Sequence, residues 1–176
     1  MEELPVNFLT WKYKNEIPED GIIMTSAKYK TKTNMNKKTI KLFLRLAISG
    51  GFLSAVADRF GGWNEKVSVW GSWNSFLEYT QLINPWFPNA IIPTMGIIAT
   101  AAEIILSIFL IIGFKTEFFA RVSGFLLLLF ALSMTFSTGI KGAFDYSVFS
   151  ASAGAFALSL MKEKYLELDS SISKNE

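Results

Sequence analysis

Phe125-Leu126-Leu127-Leu128-Leu129-Phe130-Ala131-Leu132 is the stretch that decides the fold class. At 3.6 residues per turn this run circles a helix about twice without one polar side chain, so it leaves no edge for water. A soluble helix bundle needs such an edge, and a helix set in lipid does not. Outward from it the apolar stretch extends over Phe118–Phe136, and others lie at Ile40–Ala57, Ala90–Phe114 and Gly142–Met161. Each comes close to the roughly 20 apolar residues that cross a bilayer. With 51% hydrophobic and only 18% charged residues among 176, and a mean hydropathy of +0.32, the chain has more apolar surface than a soluble core of this size takes in. The expectation is an all-α fold, a four-transmembrane-helix bundle with a short interfacial helix in the loop between spans one and two.

Orientation follows from the basic residues. Of the seventeen Lys and Arg, all but Arg45, Arg59, Lys66 and Lys141 fall before span one or in its first turn, between spans two and three or in the first turn of span three, or after span four. The positive-inside bias then puts both termini in the cytoplasm of a multi-pass protein, by expectation of a bacterial inner membrane. Trp63, Trp70, Trp73 and Trp86 gather in the opposite, outer loop, where indoles favour the headgroup layer.

Three segments are expected. Residues 1–34 read as a flexible polar cytoplasmic tail, 35–164 as the membrane domain, and 165–176 as a short cytoplasmic tail. Met35-Asn36-Lys37-Lys38, just ahead of an apolar run, resembles a natural translation start. Lys37 to Lys41, the apolar run and Ala55-Val56-Ala57 also mimic a cleavable secretory signal. Arg45 within that run argues against it, since a charge at a helix centre costs about 2.5 to 3.5 kcal/mol on insertion.

The outer loop has structure of its own. Asn74 is placed to cap a helix over Ser75–Leu82, whose Phe76, Tyr79 and Ile83 share one apolar edge. Pro85, Pro88 and Pro93 turn the chain and help start span two. Such a segment either shields the outer end of the bundle or gates access to it.

The ionisable residues within the spans are the candidate site. Glu103 stands halfway along span two, near the bilayer midplane, where it must face the interior and be protonated, paired or wetted. Ala99 and Ser107 share its face, with Gly96 one turn further back. Arg45 either pairs with Glu103 or turns to the cytoplasmic phosphates. Ser49, Phe52 and Arg59 lie on the same stripe of span one, so an inward Arg45 implies an inward Arg59. Asp58, Arg59, Lys141 and Asp145 form an expected outer polar cluster, read as anchors at span ends ahead of a site; Lys141 and Asp145 are spaced to pair along a helix. Small residues at Ala143, Ser147, Ala151, Ala155 and Ser159 in span four, and at Ala47, Gly51 and Ala55 in span one, suggest close helix packing. The bulky run of span three is expected to face lipid.

The absence of Cys and His removes whole classes of chemistry. No disulfide, thiol relay or iron–sulfur cluster is available, and no haem or copper site of the usual imidazole kind is expected. The chain carries no metal motif and too small a net charge, +2, for a nucleic-acid partner.

Arg45 in span one followed by Asp58-Arg59-Phe60-Gly61, then Ala102-Glu103-Ile104-Ile105 and Leu110-Ile111-Ile112-Gly113-Phe114-Lys115-Thr116, resembles the DoxX family of four-helix membrane proteins. Asp145-Tyr146 stands where relatives often carry an acidic residue and an aromatic. The resemblance covers about Lys38 to Met161. It implies a quinone-interacting subunit or partner of a membrane redox system, with Glu103 exchanging a proton with quinone and Arg45 or Arg59 holding the charge of a reduced form, beside Ser49, Ala99 and Ser107. Quinone is the one cofactor implied; the partners are lipid, a redox subunit and, in an oligomer, further copies. The alternatives are a non-catalytic assembly or stress-resistance protein and, less favoured for want of an internal repeat, a small proton-linked transporter.

Overall fold

A computed structural model describes residues 19–168, with side chains from Asn36 onward. The helices are α1 (Glu19–Arg59), α2 (Trp73–Ile83), α3 (Ile92–Ile112, after a 3₁₀ turn over Asn89–Ile91), α4 (Thr116–Thr138), α5 (Ile140–Asp145) and α6 (Val148–Ser159). No strand occurs among the described residues. The expected amino-terminal tail lies outside the described residues up to residue 18, and from Glu19 its backbone belongs to α1. The chain divides into one unit ending at Thr39 and a second, from Ile40, that holds the packed helices.

Three stretches, Asn36–Arg59, Asn89–Ile112 and Thr116–Thr138, are long and apolar enough to cross a membrane. The fourth expected span is not one helix. α5 ends at Asp145, the Tyr146 and Ser147 amides close back on the Gly142 and Phe144 carbonyls, and Ser147 turns left-handed at φ 55° before α6 begins. That break interrupts the expected small-residue face around Ser147 and Ala151 without shifting its ends. Ala143 is buried before it, but Ser147 is exposed and Ala151 half-buried, and beyond it the inward face is Ser152, Ala155 and Ser159. Close approach survives the break. The Ser152 hydroxyl donates to the Gly124 carbonyl at 2.8 Å, and a Cβ at Gly124 would stand 2.8 Å from the Phe156 ring.

The small face expected of span one does not pack inward. Ala47 and Gly51 are exposed and Ala55 half-buried, whereas Arg45, Ser49, Phe52 and Arg59 are all buried on one stripe, as their spacing implied. The physical reason is one of cost: a charge facing hydrocarbon is far dearer than an exposed methyl, so the arginines claim the inner face. In α4 the bulky run is outward at Phe125 and Leu129, while Ser123, Gly124, Ala131 and Met134 are buried. The main core joins Ile48 and Phe52 to Leu106, Leu110, Ala120 and Leu158.

The loop helix exists, with a different cap. Ser72, in extended backbone, accepts a hydrogen bond from the Ser75 amide at 3.2 Å, so α2 starts at Trp73 rather than after Asn74. Phe76, Thr80 and Ile83 are its buried edge, and it packs on α3 and α4. Gly96 makes room, since a Cβ there would lie 2.7 Å from Leu77 Cδ2. Tyr79 is partly covered, and burial first, then the neighbouring Tyr146, pushes its phenol above the ordinary value.

At the other end the chain after α6 returns to the start of α4. Lys162 and Lys164 border the same hollow as Lys115 and Thr116. The carboxy-terminal segment is therefore no loose tail in its first residues: Glu167 is buried, and residues 169–176 lie outside the described residues.

Candidate functional site

Side chains on a helix lean toward its amino terminus. At the last residue of α1 that lean carries Arg59 back into the bundle. There its Nη2 donates to Glu103 Oε1 at 2.8 Å and lies 2.8 Å from Oε2, while Nη1 donates to Thr100 Oγ1 at 2.6 Å. Arg59 is 3% exposed and Glu103 1%. The Thr100 hydroxyl donates its hydrogen bond to the Gly96 carbonyl at 2.8 Å, so its oxygen is left to accept from the guanidinium.

Aromatic rings close the outer side of this pair. The guanidinium carbon lies 4.0 Å from the centre of the Phe76 ring and 5.4 Å from that of Trp70, both within cation–π range. Trp70 is set there by the residue beside Arg59. Asp58 accepts from the Ser68 hydroxyl at 2.5 Å and from the Val69 and Trp70 amides at 2.9 Å each, which ties the loop down over the end of α1. Two donors in this assembly, Arg59 Nε and Trp70 Nε1, are buried without a hydrogen-bond partner. Such orphans are costly and uncommon in a finished interior. Beside them Gly61, Trp63, Ser68 and Trp70 border a cleft of about 430 Å³.

The same lean takes Arg45 away from Glu103. Its Nε donates to the Leu110 carbonyl and Nη2 to that of Ile111, both at 2.8 Å, and Nη1 donates to the Tyr165 and Leu166 carbonyls at 3.0 Å. Of the two alternatives open to Arg45, the one beside Glu103 is taken by Arg59. Arg45, 1% exposed, instead satisfies carbonyls at the end of α3 that no helical amide can reach and clamps the returning carboxy-terminal segment. Glu167 Oε1 stands 3.9 Å from it and 2.8 Å from Lys41 Nζ.

Ser49 and Ser107 meet on the shared face: the Ser49 hydroxyl donates to the Ser107 carbonyl at 3.2 Å, and the one Ser107 hydroxyl proton is shared between the Glu103 carbonyl at 2.7 Å and the Ser49 carbonyl at 3.3 Å. They pin α1 to α3 below the pair. Ala99 is only half-buried and makes no part of it; Thr100 takes that place. The outer polar cluster does not gather as one group. Asp58 serves the loop, Arg59 serves Glu103, and Lys141 pairs with Asp145 on an exposed surface. Sequence reasoning missed Thr100, Trp70 and Phe76 as site residues, although Thr100 stands one turn from Glu103 on the same face. No protein family, curated protein or solved structure matches the chain.

Proposed function

We propose that the chain is a DoxX-like membrane protein that crosses a bacterial inner membrane four times with both termini cytoplasmic, and that it serves as the quinone-interacting subunit of a membrane redox system. In support of four crossings, α4 rises over roughly 34 Å, and the chain then returns through α5 and α6 to the hollow where α4 began. A broken helix buried against its neighbours is tolerated at membrane depth.

The observation that carries the quinone reading is the buried Arg59–Glu103 pair with its two orphan donors under an aromatic lid. A flat ring with carbonyl oxygens is the ligand such donors and rings suit. Arg59 Nε and Trp70 Nε1 would donate to a carbonyl oxygen, Arg59 would hold negative charge as it develops, and Glu103 would give or take the proton there. The electrons belong to a partner subunit, because this chain has no Cys or His to bind a metal centre of the usual kind.

A second reading, a non-catalytic assembly protein glued by the pair, is favoured by one fact: Arg59 and Glu103 already satisfy each other at 2.8 Å. Titration of the detergent-solubilised protein with a short-chain ubiquinone or menaquinone, read by tryptophan fluorescence, separates the two. Saturable quenching that is weakened in Glu103→Gln and mostly lost in Trp70→Phe is the quinone result. Absence of saturable quenching in the wild type would leave the structural reading in its place.

A further inference from the structure

Beyond the quinone site, the hollow at the lysine-rich end of the bundle remains without a role. It has a volume of about 250 Å³ and lies where α4 begins, with Thr116 in its wall. No side chain caps that helix: its N-cap is Lys115, in left-handed backbone, and makes no side-chain hydrogen bond to the first turn. A helix amino terminus left this way presents backbone amides and a positive dipole end.

The second observation concerns Thr116 itself. It is 2% exposed, and its hydroxyl is buried without a hydrogen-bond partner, which is unusual for a group that can both donate and accept. Around it stand Lys115, Lys162 and Lys164, all on the rim with exposed side chains, and the buried Lys41. Lys41 is engaged with the Glu163 carbonyl and with Glu167. Two carboxylates, Glu117 and Glu167, also border the hollow, so four lysines face two acids and the balance is positive. Phe118, 58% exposed, adds an apolar flank on the outside of the bundle.

We propose that this hollow binds a phosphate group, held by the α4 amino terminus and the Thr116 hydroxyl and surrounded by Lys115, Lys162 and Lys164. Basic recesses between membrane helices on the cytoplasmic side are suited to anionic headgroups, and the Phe118 flank would lie along an acyl chain. The phosphate of an anionic lipid and free phosphate share this chemistry.

The test uses the full chain in nanodiscs of phosphatidylcholine, with or without one-fifth phosphatidylglycerol, compared with inorganic phosphate added to the detergent-solubilised protein. Lipid retention is read by native mass spectrometry and stability by thermal unfolding. The variants are Thr116→Val and the triple variant Lys115→Gln, Lys162→Gln, Lys164→Gln; Lys66→Gln, at the other end, is the control for charge alone. Preferential phosphatidylglycerol retention that falls about fivefold for each lysine removed, falls also in Thr116→Val and persists in Lys66→Gln assigns the site to a lipid headgroup. A phosphate-induced rise in melting temperature that both site variants abolish, without lipid preference, assigns it to free phosphate. Equal retention and equal melting shifts in wild type and site variants would overturn the proposal. A folding defect is told apart by circular dichroism, since Thr116→Val keeps shape and charge.

Discussion

Gly113 shows how tightly single residues are specified at the lysine-rich end. Its φ is 71°, and a Cβ added there would lie 2.6 Å from Arg45 Nη2 and 2.7 Å from the Glu167 Cα. Gly113→Ala would combine left-handed strain with displacement of the Arg45 clamp, and is expected to cost about 2–4 kcal/mol, seen as a lower unfolding midpoint in detergent. Tyr79 makes a pH prediction. Its phenol titrates higher when folded than the ordinary value of 10.0, because burial and then Tyr146 oppose the charge. The folded state therefore holds its proton more tightly than the unfolded chain. Stability is intact below about pH 10 and declines as pH rises beyond it, and Tyr79→Phe should flatten that alkaline decline in melting temperature.

Among the elements, the turn between α4 and α5 and the exposed glycines of α1 set opposite demands. Gly139, between α4 and α5, has φ 94° and ψ 153° with nothing within 4 Å of an added Cβ, so only backbone conformation resists a side chain. Gly139→Ala is expected to lose about 1–3 kcal/mol. Gly50, mid-helix in α1 with equally open space, should gain about 0.5–1 kcal/mol as Gly50→Ala. Thermal unfolding of the two variants would move in opposite directions. The break between α5 and α6 was not legible in the sequence: Gly142–Met161 has the composition of a span, and nothing about Tyr146-Ser147 announces a left-handed residue. The stripe of Arg45, Ser49, Phe52 and Arg59 was legible, because burial of polar residues in an apolar helix follows from spacing alone. The pairing within it was not. Depth along the helix left Arg45 within reach either of Glu103 or of the helix's amino-terminal end, and the lean of both side chains toward the amino terminus of α1 gives the place beside Glu103 to Arg59.

At the scale of the whole molecule the packed helices distribute their charged interior between two ends. Arg59 and Glu103 meet under the tryptophan-rich loop, and Arg45 and Lys41 bind the carboxy-terminal segment at the other end. The absence of native cysteine makes topology directly testable by single-cysteine labelling in intact cells. Asn64→Cys should react with an impermeant maleimide from outside, and Lys115→Cys and Lys164→Cys only after permeabilisation. Labelling of Lys164→Cys from outside would contradict the proposed fourth crossing.

The buried Arg59–Glu103 pair is the feature on which both the packing and the proposed chemistry rest, and a double-mutant cycle measures it directly. Arg59→Leu, Glu103→Leu and the double variant would be unfolded reversibly in mixed micelles. Each single change strands a buried partner and should cost about 3–5 kcal/mol, while the double change should cost much less than the two together. Simple additivity would show that the two charges do not depend on each other, and would contradict a paired centre.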